Sequence, residues 1–241
     1  MPVLGVIPAR LGSRRLPRKP LQPLGGVPLI VRVAERAAGN GVADQLVVAT
    51  DSPEIEAVVR QAGFTAVLTS ESHPSGTDRA YEVASRPEFA RFDEILNLQG
   101  DGPFLPFSAL SGAVRQLRLG FDLGTAATPL DPGDRGNPAR VKVVMDPSGR
   151  ALGFSRVLIP GLVNWHHLGL YAYRRQALEK LARAEPVAAE RVEGLEQLRA
   201  MALGLSIGVA RLDEPAGPEV DTEADLQQAQ SHWTLTHEVT R

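Results

Sequence analysis

The sequence predicts an α/β fold in which helices are wound around one mixed sheet. Short apolar segments with strand character alternate with segments whose apolar residues recur every three or four positions. The composition is that of a globular protein, with 43% hydrophobic and 22% charged residues. Because no linker or internal repeat interrupts the 241 residues, we expect one domain, 1–241.

The first half of the chain alternates between predicted strands and helices. The first strand, 3–7, leads into a loop rich in arginine and proline. The later strands are predicted at 46–50, 66–69, 94–98 and 124–128. The helices are predicted at 28–40, from Pro53 onward, at 77–85 and at 106–119. This alternation is typical of a wound sheet.

The pattern changes after Pro129, where hairpin signals begin. Two predicted strands, 140–145 and 150–154, flank the turn Asp146-Pro-Ser-Gly149. The remaining elements are strands at 167–173 and 207–211 and helices at 177–184, at 189–203 and after Asp221-Thr222. We therefore expect a hairpin-rich lobe over the sheet in the second half.

Charge and cysteine content exclude several classes of function. The net charge of −2 at pH 7 argues against general nucleic-acid binding. The absence of cysteine excludes disulfides, thiolate metal sites and cysteine nucleophiles, and it is compatible with the cytoplasm. No apolar run approaches the roughly 20 residues of a membrane helix, and the N-terminus lacks a secretory pattern. We expect no membrane insertion.

The loop after the first strand is a candidate anion site. Its residues 10–19 include five cations, Arg10, Arg14, Arg15, Arg18 and Lys19. Gly12 permits close backbone approach, and the neighbouring prolines limit flexibility. A guanidinium fork at Arg10 and a point charge at Lys19 suit a polyanion such as a triphosphate. The alternative is a basic loop that is merely solvated.

Two acidic segments are candidates for binding a divalent cation. Asp101 follows the strand 94–98 in the segment Gln99-Gly-Asp101, at the edge of a parallel sheet where ligands usually bind. Its hard carboxylate oxygens suit Mg²⁺, although Asp-Gly-Pro is also good turn chemistry. Asp221 lies in the segment 221–225, which helix capping alone would explain.

Other polar segments have both a functional and a structural interpretation. Ser75-Gly-Thr77, with Arg79 one turn later, could contact a base or a phosphate, or Thr77 could cap a helix. Arg156 ends a hairpin strand, where an arginine is usually solvated. The adjacent His166 and His167 face opposite sides of a strand and therefore cannot form a paired metal site.

One further acidic set lies on the helix predicted at 189–203. Glu190, Glu193 and Gln197 share a helix face and could hold the hydroxyl groups of a polyol. The alternative is that they form the charged outer face of an amphipathic helix.

The identities, order and spacing of these motifs resemble the 3-deoxy-manno-octulosonate cytidylyltransferases, or CMP-Kdo synthetases. These enzymes have a nucleotide-sugar pyrophosphorylase (nucleotide-diphospho-sugar transferase) type of fold. The matches cover about residues 3 to 230: Ile7-Pro-Ala-Arg10, Arg15-Leu-Pro, Lys19-Pro-Leu21, Ala49-Thr-Asp51, Ser75-Gly-Thr77 with Arg79, Asn97 with Gln99-Gly-Asp101, Asn137-Pro138, Val141-Lys-Val-Val144, Phe154-Ser-Arg156, His167-Leu-Gly169 with Tyr171, Leu195-Glu-Gln-Leu-Arg199 and Val220-Asp-Thr222.

The resemblance implies transfer of CMP from CTP to the anomeric hydroxyl of 3-deoxy-D-manno-octulosonate (Kdo), with release of pyrophosphate. It implies catalytic roles for Arg10, Lys19, Asp101 and Asp221, with Mg²⁺ held by the two aspartates. The residues implied for CTP binding are Pro8, Ala9, Arg10, Lys19, Ser75, Arg79 and Asp101. Those implied for the sugar acid are Gln99, Arg156, His167, Glu196 and Gln197.

The resemblance also implies a cytoplasmic homodimer, in which residues 1–130 mainly bind CTP and residues 131–230 mainly bind the sugar acid and form the dimer. Three departures lie near the expected acceptor: Gly102 in place of glutamate, a short 161–166 loop and Val187-Ala-Ala189. A modified Kdo or another keto-deoxy sugar acid is therefore a second candidate acceptor. Two competing functions are a nucleotidyltransferase that acts on a sugar phosphate and a non-catalytic nucleotide-binding module.

Overall fold

The structure is a computed structural model that describes residues 1–13 and 15–238. Arg14, one of the five cations of the predicted basic loop, and the last three residues lie outside the described part. The chain divides into two compact units. The first unit comprises Pro2–Arg91, Asn97–Leu105 and 217–238, and the second comprises Phe92–Leu96 and Pro106–Ala216.

The first unit is built on parallel strands in the order β1 (Val3–Ala9), β4 (Gln45–Thr50) and β5 (Thr65–Leu68). A short hairpin of β2 (Pro23–Leu24) and β3 (Val27–Pro28) follows the basic loop. The helices of this unit are α1 (Leu29–Gly39), α2 (Pro53–Gln61), α3 (Gly76–Ala84) and α8 (Glu223–Glu238). Because these strands are parallel, their carboxyl ends lie along one edge of the sheet.

The second unit contains a mixed sheet. Its strands lie in the order β11 (Ile207–Arg211), β7 (Leu123–Pro129), β10 (Trp165–Arg174) and β6 (Glu94–Asn97). β7 is parallel to β11 and antiparallel to β10. The predicted hairpin is present as β8 (Lys142–Met145) and β9 (Ala151–Ser155). The helices are α4 (Phe107–Arg118), α5 (Arg175–Ala182), α6 (Ala188–Glu193) and α7 (Gln197–Ala202).

Close packing of α4 on β7 depends on Gly124. A Cβ atom placed on this residue would lie 1.9 Å from the carbonyl oxygen of Ala113 and 2.8 Å from the Cβ of Gln116. No side chain fits in this space without moving the helix. Residues of α4 that face the sheet, such as Leu110, Val114 and Leu117, are almost fully buried. The missing side chain therefore lets the helix lie directly on the strand.

The prediction of one continuous helix over 189–203 is wrong. Gly194 ends α6 in the left-handed conformation, with φ 63°, and its N–H donates to the carbonyl oxygen of Glu190. Glycine is the residue that adopts this helix-ending conformation at least cost. Gln197 therefore begins a separate helix, and it does not share a helix face with Glu190 and Glu193.

The predicted α/β class, with a mixed wound sheet and a hairpin in the second half, is confirmed. The hairpin was expected to lie over the sheet, but β8 pairs with β10 and the hairpin is therefore part of the sheet. The first strand is longer than predicted, because Pro8 and Ala9 still pair with β4. Within the described residues, no helix is both long and apolar enough to cross a membrane. The strand ends of the first unit carry the candidate site.

Candidate active site

A cavity of about 610 Å³ lies at the carboxyl ends of the strands in the first unit. Segments from the end of β1, the basic loop, the start of α3 and the Asp101 loop all contribute to its wall. Nine of the predicted site residues line it: Pro8, Ala9, Arg10, Lys19, Ser75, Arg79, Gln99, Asp101 and Asp221. The structure therefore brings the predicted nucleotide and metal residues into one cavity.

Lys19 lies between the two predicted metal aspartates. Its Nζ is 2.8 Å from Asp101 Oδ2 and 3.0 Å from Asp221 Oδ1. Its side chain is only 16% exposed. Burial by itself lowers the pKa of Lys19, but the charges and hydrogen bonds of Asp101 and Asp221 outweigh burial and raise it. Lys19 therefore keeps its positive charge inside the cavity.

Main-chain contacts hold the segments of the two aspartates together. The Val220 N–H donates to the Asp101 carbonyl oxygen at 2.9 Å. Arg15, which the sequence analysis named only as one of the five cations of the basic loop, places Nη2 3.0 Å from Asp221 Oδ1. Two carboxylates thus converge on cationic groups at one point of the cavity wall.

The Asp221 carboxylate does not serve as the cap of α8. The Asp225 carboxylate accepts hydrogen bonds from the Asp221 and Thr222 N–H groups, at 3.2 and 2.8 Å, and Thr222 Oγ1 accepts from the Asp225 N–H. Thr222 and Asp225 therefore cap α8 reciprocally. This arrangement leaves the Asp221 carboxylate directed at Lys19 and Arg15.

Arg10 and Gln99 differ from Lys19 in the solvent exposure of their side chains. Both are exposed, and both line the cavity. Arg10 follows the last residue of β1. An exposed guanidinium at a strand end can reach an anion in the cavity without first breaking a buried ion pair.

Ser75, and not Thr77, caps α3. Its Oγ accepts a hydrogen bond from the Asp78 N–H at 3.3 Å and donates to Asp78 Oδ2 at 2.6 Å. Ser75 also lines the cavity. The cap therefore fixes the start of α3 at the cavity wall, where a helix N-terminus suits an anion.

Arg79 is held in a buried ion pair that the sequence did not predict. Its side chain is 3% exposed, and its Nη2 is 2.7 Å from Asp51 Oδ2. The guanidinium also donates to Thr69 Oγ1. Asp51 belongs to the Ala49-Thr-Asp51 motif, which had no assigned role. Arg79 therefore joins the ends of β4 and β5 to α3 while lining the cavity.

The loop that precedes α3 is held by Glu82. Its Oε2 accepts from the Ser70 N–H at 2.9 Å and lies 2.6 Å from His73 Nε2. Burial raises the pKa of Glu82, but hydrogen bonds from Ser70, Arg86 and His73 outweigh burial and lower it to about 2. This carboxylate therefore stays ionised and fixes one wall of the cavity, to which His73 belongs.

In the second unit, Arg156 is bound to main-chain carbonyl groups. Its Nε donates to the Glu193 carbonyl oxygen at 2.6 Å, and its Nη1 donates to the Pro138 carbonyl oxygen at 3.0 Å. Its N–H also donates to Glu193 Oε2 at 3.1 Å. The interpretation of Arg156 as a freely solvated arginine is therefore wrong.

His167 is buried and neutral. Its Nε2 is 3.0 Å from Thr125 Oγ1, and burial followed by the charge of His166 lowers its pKa to about 3. Burial, and then the charge of Arg140, lowers the pKa of His166 to about 4. His167 is buried whereas His166 is partly exposed, which agrees with the prediction that they face opposite sides.

Tyr171 was quoted in the family motif but was not predicted as a site residue. Its ring lies 5.3 Å from that of His167, and its buried hydroxyl has no hydrogen-bond partner among the described residues. Burial, with the charges of Tyr173 and Glu196, raises its pKa. An unpartnered buried hydroxyl is costly, so this group calls for a partner from outside the protein, such as a water molecule or an ion.

Glu196 and Gln197 lie around the start of α7. Glu196 Oε1 is 3.4 Å from Arg199 Nη2, and Arg199 Nε is 3.2 Å from Glu190 Oε2. Gln197 is buried. The predicted sugar-acid residues Arg156, His167, Glu196 and Gln197 thus belong to the second unit, whereas Gln99 belongs to the first.

Comparison with known proteins agrees with this geometry. The family model for cytidylyltransferases matches residues 4–207. A 3-deoxy-manno-octulosonate cytidylyltransferase from Gemmatimonas aurantiaca is 49% identical, over 98% of this chain and 96% of the relative. A protein of the same name from Polynucleobacter necessarius is 44% identical, over 93% of this chain and 92% of the relative.

A solved structure gives the same result at the level of the fold. It is a CMP:2-keto-3-deoxy-manno-octonic acid synthetase complexed with CTP, and it is 34% identical to this chain. The TM-score is 0.91, and the match covers 98% of this chain and 100% of the solved chain. With a family model that spans most of its length and relatives of this identity, the chain belongs to the cytidylyltransferase family, among the 3-deoxy-manno-octulosonate cytidylyltransferases.

Proposed function

We propose that the protein is a nucleotidyltransferase that joins CMP from CTP to the anomeric hydroxyl of Kdo, giving CMP-Kdo and pyrophosphate. The observation that carries the proposal is the convergence of Asp101 and Asp221 on the Lys19 ammonium, at 2.8 and 3.0 Å, inside the cavity. The relatives named for this reaction match nearly the whole chain. The structural relative that was solved with CTP shares the fold throughout.

The basic residues of the cavity suit a triphosphate. Arg10 is exposed at the strand end, and Lys19 carries its charge at the cavity wall. As the sugar hydroxyl oxygen bonds to the α-phosphorus, its proton passes to solvent. The bond between the α-phosphorus and the oxygen that bridges to the β-phosphorus breaks, and pyrophosphate leaves with that oxygen. Charge builds on the departing pyrophosphate, and fixed cations stabilise that charge. We assign this role to Arg10 and Lys19.

The two aspartates fit a Mg²⁺ site of the kind that substrate completes. Both carboxylates already converge on one cation, the Lys19 ammonium. Among the described residues, no group of three or more His, Asp or Glu could hold a metal unaided. Mg²⁺ commonly takes one or two protein carboxylates and completes its shell with water and phosphate oxygens. When bound, it would acidify the attacking hydroxyl and neutralise phosphate charge.

We assign the remaining nucleotide roles from the lining of the cavity and the sugar-acid roles from the resemblance to the family. Pro8, Ala9, Ser75 and Arg79 line the cavity and would contact the nucleotide. Gln99, Arg156, His167, Glu196 and Gln197 are proposed to contact the sugar acid. His167 is neutral at physiological pH because burial lowers its pKa to about 3. It would therefore orient a hydroxyl by hydrogen bonding and would not act as a general base.

We also propose that the protein is a homodimer. The second unit exposes several apolar side chains between β9 and β10, including Val157, Leu162 and Val163, which are 66, 50 and 74% exposed. Apolar side chains grouped in this way are typical of a surface that another protein covers. We assign them to contact with a second copy of the chain, and we propose that the enzyme works in the cytoplasm, where CTP is available.

A coupled assay of pyrophosphate release tests the function. The protein is mixed with Mg²⁺, Kdo and either CTP, UTP or GTP, and we expect release with CTP alone. A panel of other keto-deoxy acids and of sugar 1-phosphates tests the acceptor. Release with another keto-deoxy acid but not Kdo would keep the reaction class and replace the acceptor. Binding of CTP without turnover of any acceptor would identify a nucleotide-binding module.

A further inference from the structure

Helix α8 connects the site to a distant aromatic cluster. The helix begins two residues after Asp221, and Trp233 lies twelve residues beyond that aspartate. At 1.5 Å per helical residue, this separation is about 16 to 18 Å along the axis. Trp233 therefore cannot contact the reacting groups. Because a helix is rigid, however, the placement of Trp233 affects the placement of Asp221 at the other end of α8.

The loop of Asp101 also contacts this end of the helix. Phe104, three residues after Asp101, packs edge-on against His232, with ring centroids 4.5 Å apart, and its ring lies 6.2 Å from that of Trp233. On its other side, Phe104 leaves no room for a side chain at Gly217, where a Cβ would lie 2.4 Å from the Cβ of Phe104. The segments that carry Asp101 and Asp221 are thus both packed against α8 or its approach.

The hairpin that follows Lys19 binds the same helix. The Arg32 guanidinium stacks 4.0 Å from the centre of the Trp233 ring and donates to the carbonyl oxygens of Leu24 and Gly25, at 3.1 and 2.9 Å. Gln230 donates to the Pro23 carbonyl oxygen at 2.6 Å and accepts from the Gly25 N–H at 3.1 Å. The indole lies so close to Gly25 that a Cβ there would be 2.2 Å from Nε1.

We propose that Trp233 is a positioning residue for the transfer reaction. It anchors α8 to the loop that carries Asp101 and Phe104 and to the β2–β3 hairpin, and it thereby sets the distance between Asp221 and Asp101. The inference rests on the proposed role of these aspartates in holding a divalent cation. The three segments that carry Lys19, Asp101 and Asp221 have contacts with α8 or lead directly into it. An aromatic ring stacked under a guanidinium stabilises such an anchor.

The consequence concerns metal affinity more than the chemical step. Residues that orient metal ligands commonly change metal affinity by about 10- to 100-fold when they are replaced. Loss of the Trp233 anchor would let α8 and Asp221 shift relative to Asp101. The carboxylates would remain, so a high concentration of metal would restore the occupied site. This behaviour distinguishes a positioning residue from one that only keeps the protein folded.

The test compares wild type with Trp233→Ala, Trp233→Phe and a matched control, Leu235→Ala, on the same helix. Leu235 is 70% exposed, so its loss removes little packing. Binding of Mn²⁺ to the protein in the presence of CTP, without acceptor, is followed by the paramagnetic resonance signal of free Mn²⁺. The Mg²⁺ dependence of pyrophosphate release is measured in parallel, and thermal unfolding reports the folded state.

We expect Trp233→Ala to weaken Mn²⁺ binding about tenfold and to raise the Mg²⁺ requirement by a similar factor. We expect kcat to recover to within about twofold of wild type at saturating Mg²⁺, since the ligands themselves are intact. Trp233→Phe should retain most of the Mn²⁺ affinity of the wild type, and Leu235→Ala should bind Mn²⁺ as the wild type does. If Trp233→Ala does not fold, Gln230→Ala, which loses two hydrogen bonds to the hairpin, should weaken Mn²⁺ binding in the same direction.

The inference would be overturned if Trp233→Ala left the Mn²⁺ affinity unchanged, or if Gln230→Ala did so where Trp233→Ala does not fold. The proposed function would still stand. An equal loss in Leu235→Ala would also overturn the inference, because any change on α8 would then suffice. Failure of the wild-type protein to bind Mn²⁺ with CTP would instead overturn the metal assignment of the proposed function, and the inference with it.

Discussion

Lys19 carries much of the electrostatics of the cavity, because its ammonium contacts both aspartates while its side chain is largely buried. This arrangement holds together two carboxylates that would otherwise repel each other. It also shows that a cation fits between them. The residue with the clearest predicted role is therefore Asp101, which lies at the strand edge and is shared between Lys19 and the proposed Mg²⁺.

Asp101→Asn is expected to lower kcat at least 100-fold, because an amide cannot replace an anionic metal ligand. The variant should still fold, because Lys19 keeps its ion pair with Asp221 and is not left as an unpaired buried charge. Pyrophosphate release and differential scanning fluorimetry measure the two effects. The control is Asp213→Asn, which changes an exposed aspartate outside the cavity lining. Near-normal turnover in Asp101→Asn would remove Asp101 from the metal role.

His167 predicts a specific pH dependence of stability. Its pKa is lowered to about 3 in the folded protein, against an ordinary value of 6.5. A lowered pKa means that the unfolded chain binds the proton more readily. The contribution of neutral His167 is therefore fully present above pH 6.5 and is lost as the pH falls toward 3.

We expect His167→Asn to flatten the decline in unfolding free energy between about pH 6 and 4, by up to ~1.4 kcal/mol per pH unit. Urea unfolding at several pH values measures this slope, and the comparison of slopes is insensitive to the packing that the substitution itself removes. Parallel pH dependences of wild type and variant would contradict the buried, neutral state of His167.

At the scale of secondary-structure elements, the close contact of α4 with β7 restricts the size of the residue at position 124. Gly124→Ala would place a methyl group 1.9 Å from the Ala113 carbonyl oxygen, so the helix must move. We expect a loss of about 3 kcal/mol of unfolding free energy, at the upper end for overpacking. Gly136→Ala is the control, because a Cβ there meets nothing within 4 Å. Equal stability of the two variants in urea would contradict this packing.

The elements that could be predicted are those in which local pattern and tertiary environment agree. The strands at 3–7 and 46–50 are mostly apolar and mostly buried, and Pro53 begins a capped helix. Gly194 was hidden inside a helical pattern, because periodicity alone does not show which glycine adopts a positive φ. The β2–β3 hairpin is only two residues per strand, which is too short for an alternating pattern to reveal.

The site residues that could be predicted are likewise those that belong to a local sequence motif. Lys19, Asp101 and Asp221 were predicted from motifs, and the cavity brings them together. The Arg79–Asp51 ion pair was not predicted, because it joins residues 28 positions apart whose contact depends on how α3 packs. Arg15 and Tyr171 were visible only as members of motifs. Their contacts with Asp221 and His167 are properties of the folded chain.

At the scale of the whole molecule, the exposed apolar side chains of the second unit predict self-association. Val163→Arg should convert a dimer into a monomer of 25.9 kDa, because a charge is costly to bury in an apolar interface. Analytical ultracentrifugation measures the mass. Leu235→Arg, which changes an exposed leucine on α8, should leave the dimer intact. A wild-type protein that sediments as a monomer at micromolar concentration would contradict the homodimer.

The position of Asp221 has a consequence for how the cavity assembles during folding. Lys19 and Asp221 are 202 positions apart in the sequence, and their side chains meet at 3.0 Å. A contact between residues so far apart closes a long loop, and loop closure costs conformational entropy before the contact offsets it. We therefore expect this contact to form late in refolding, after the parallel strands of the first unit have paired.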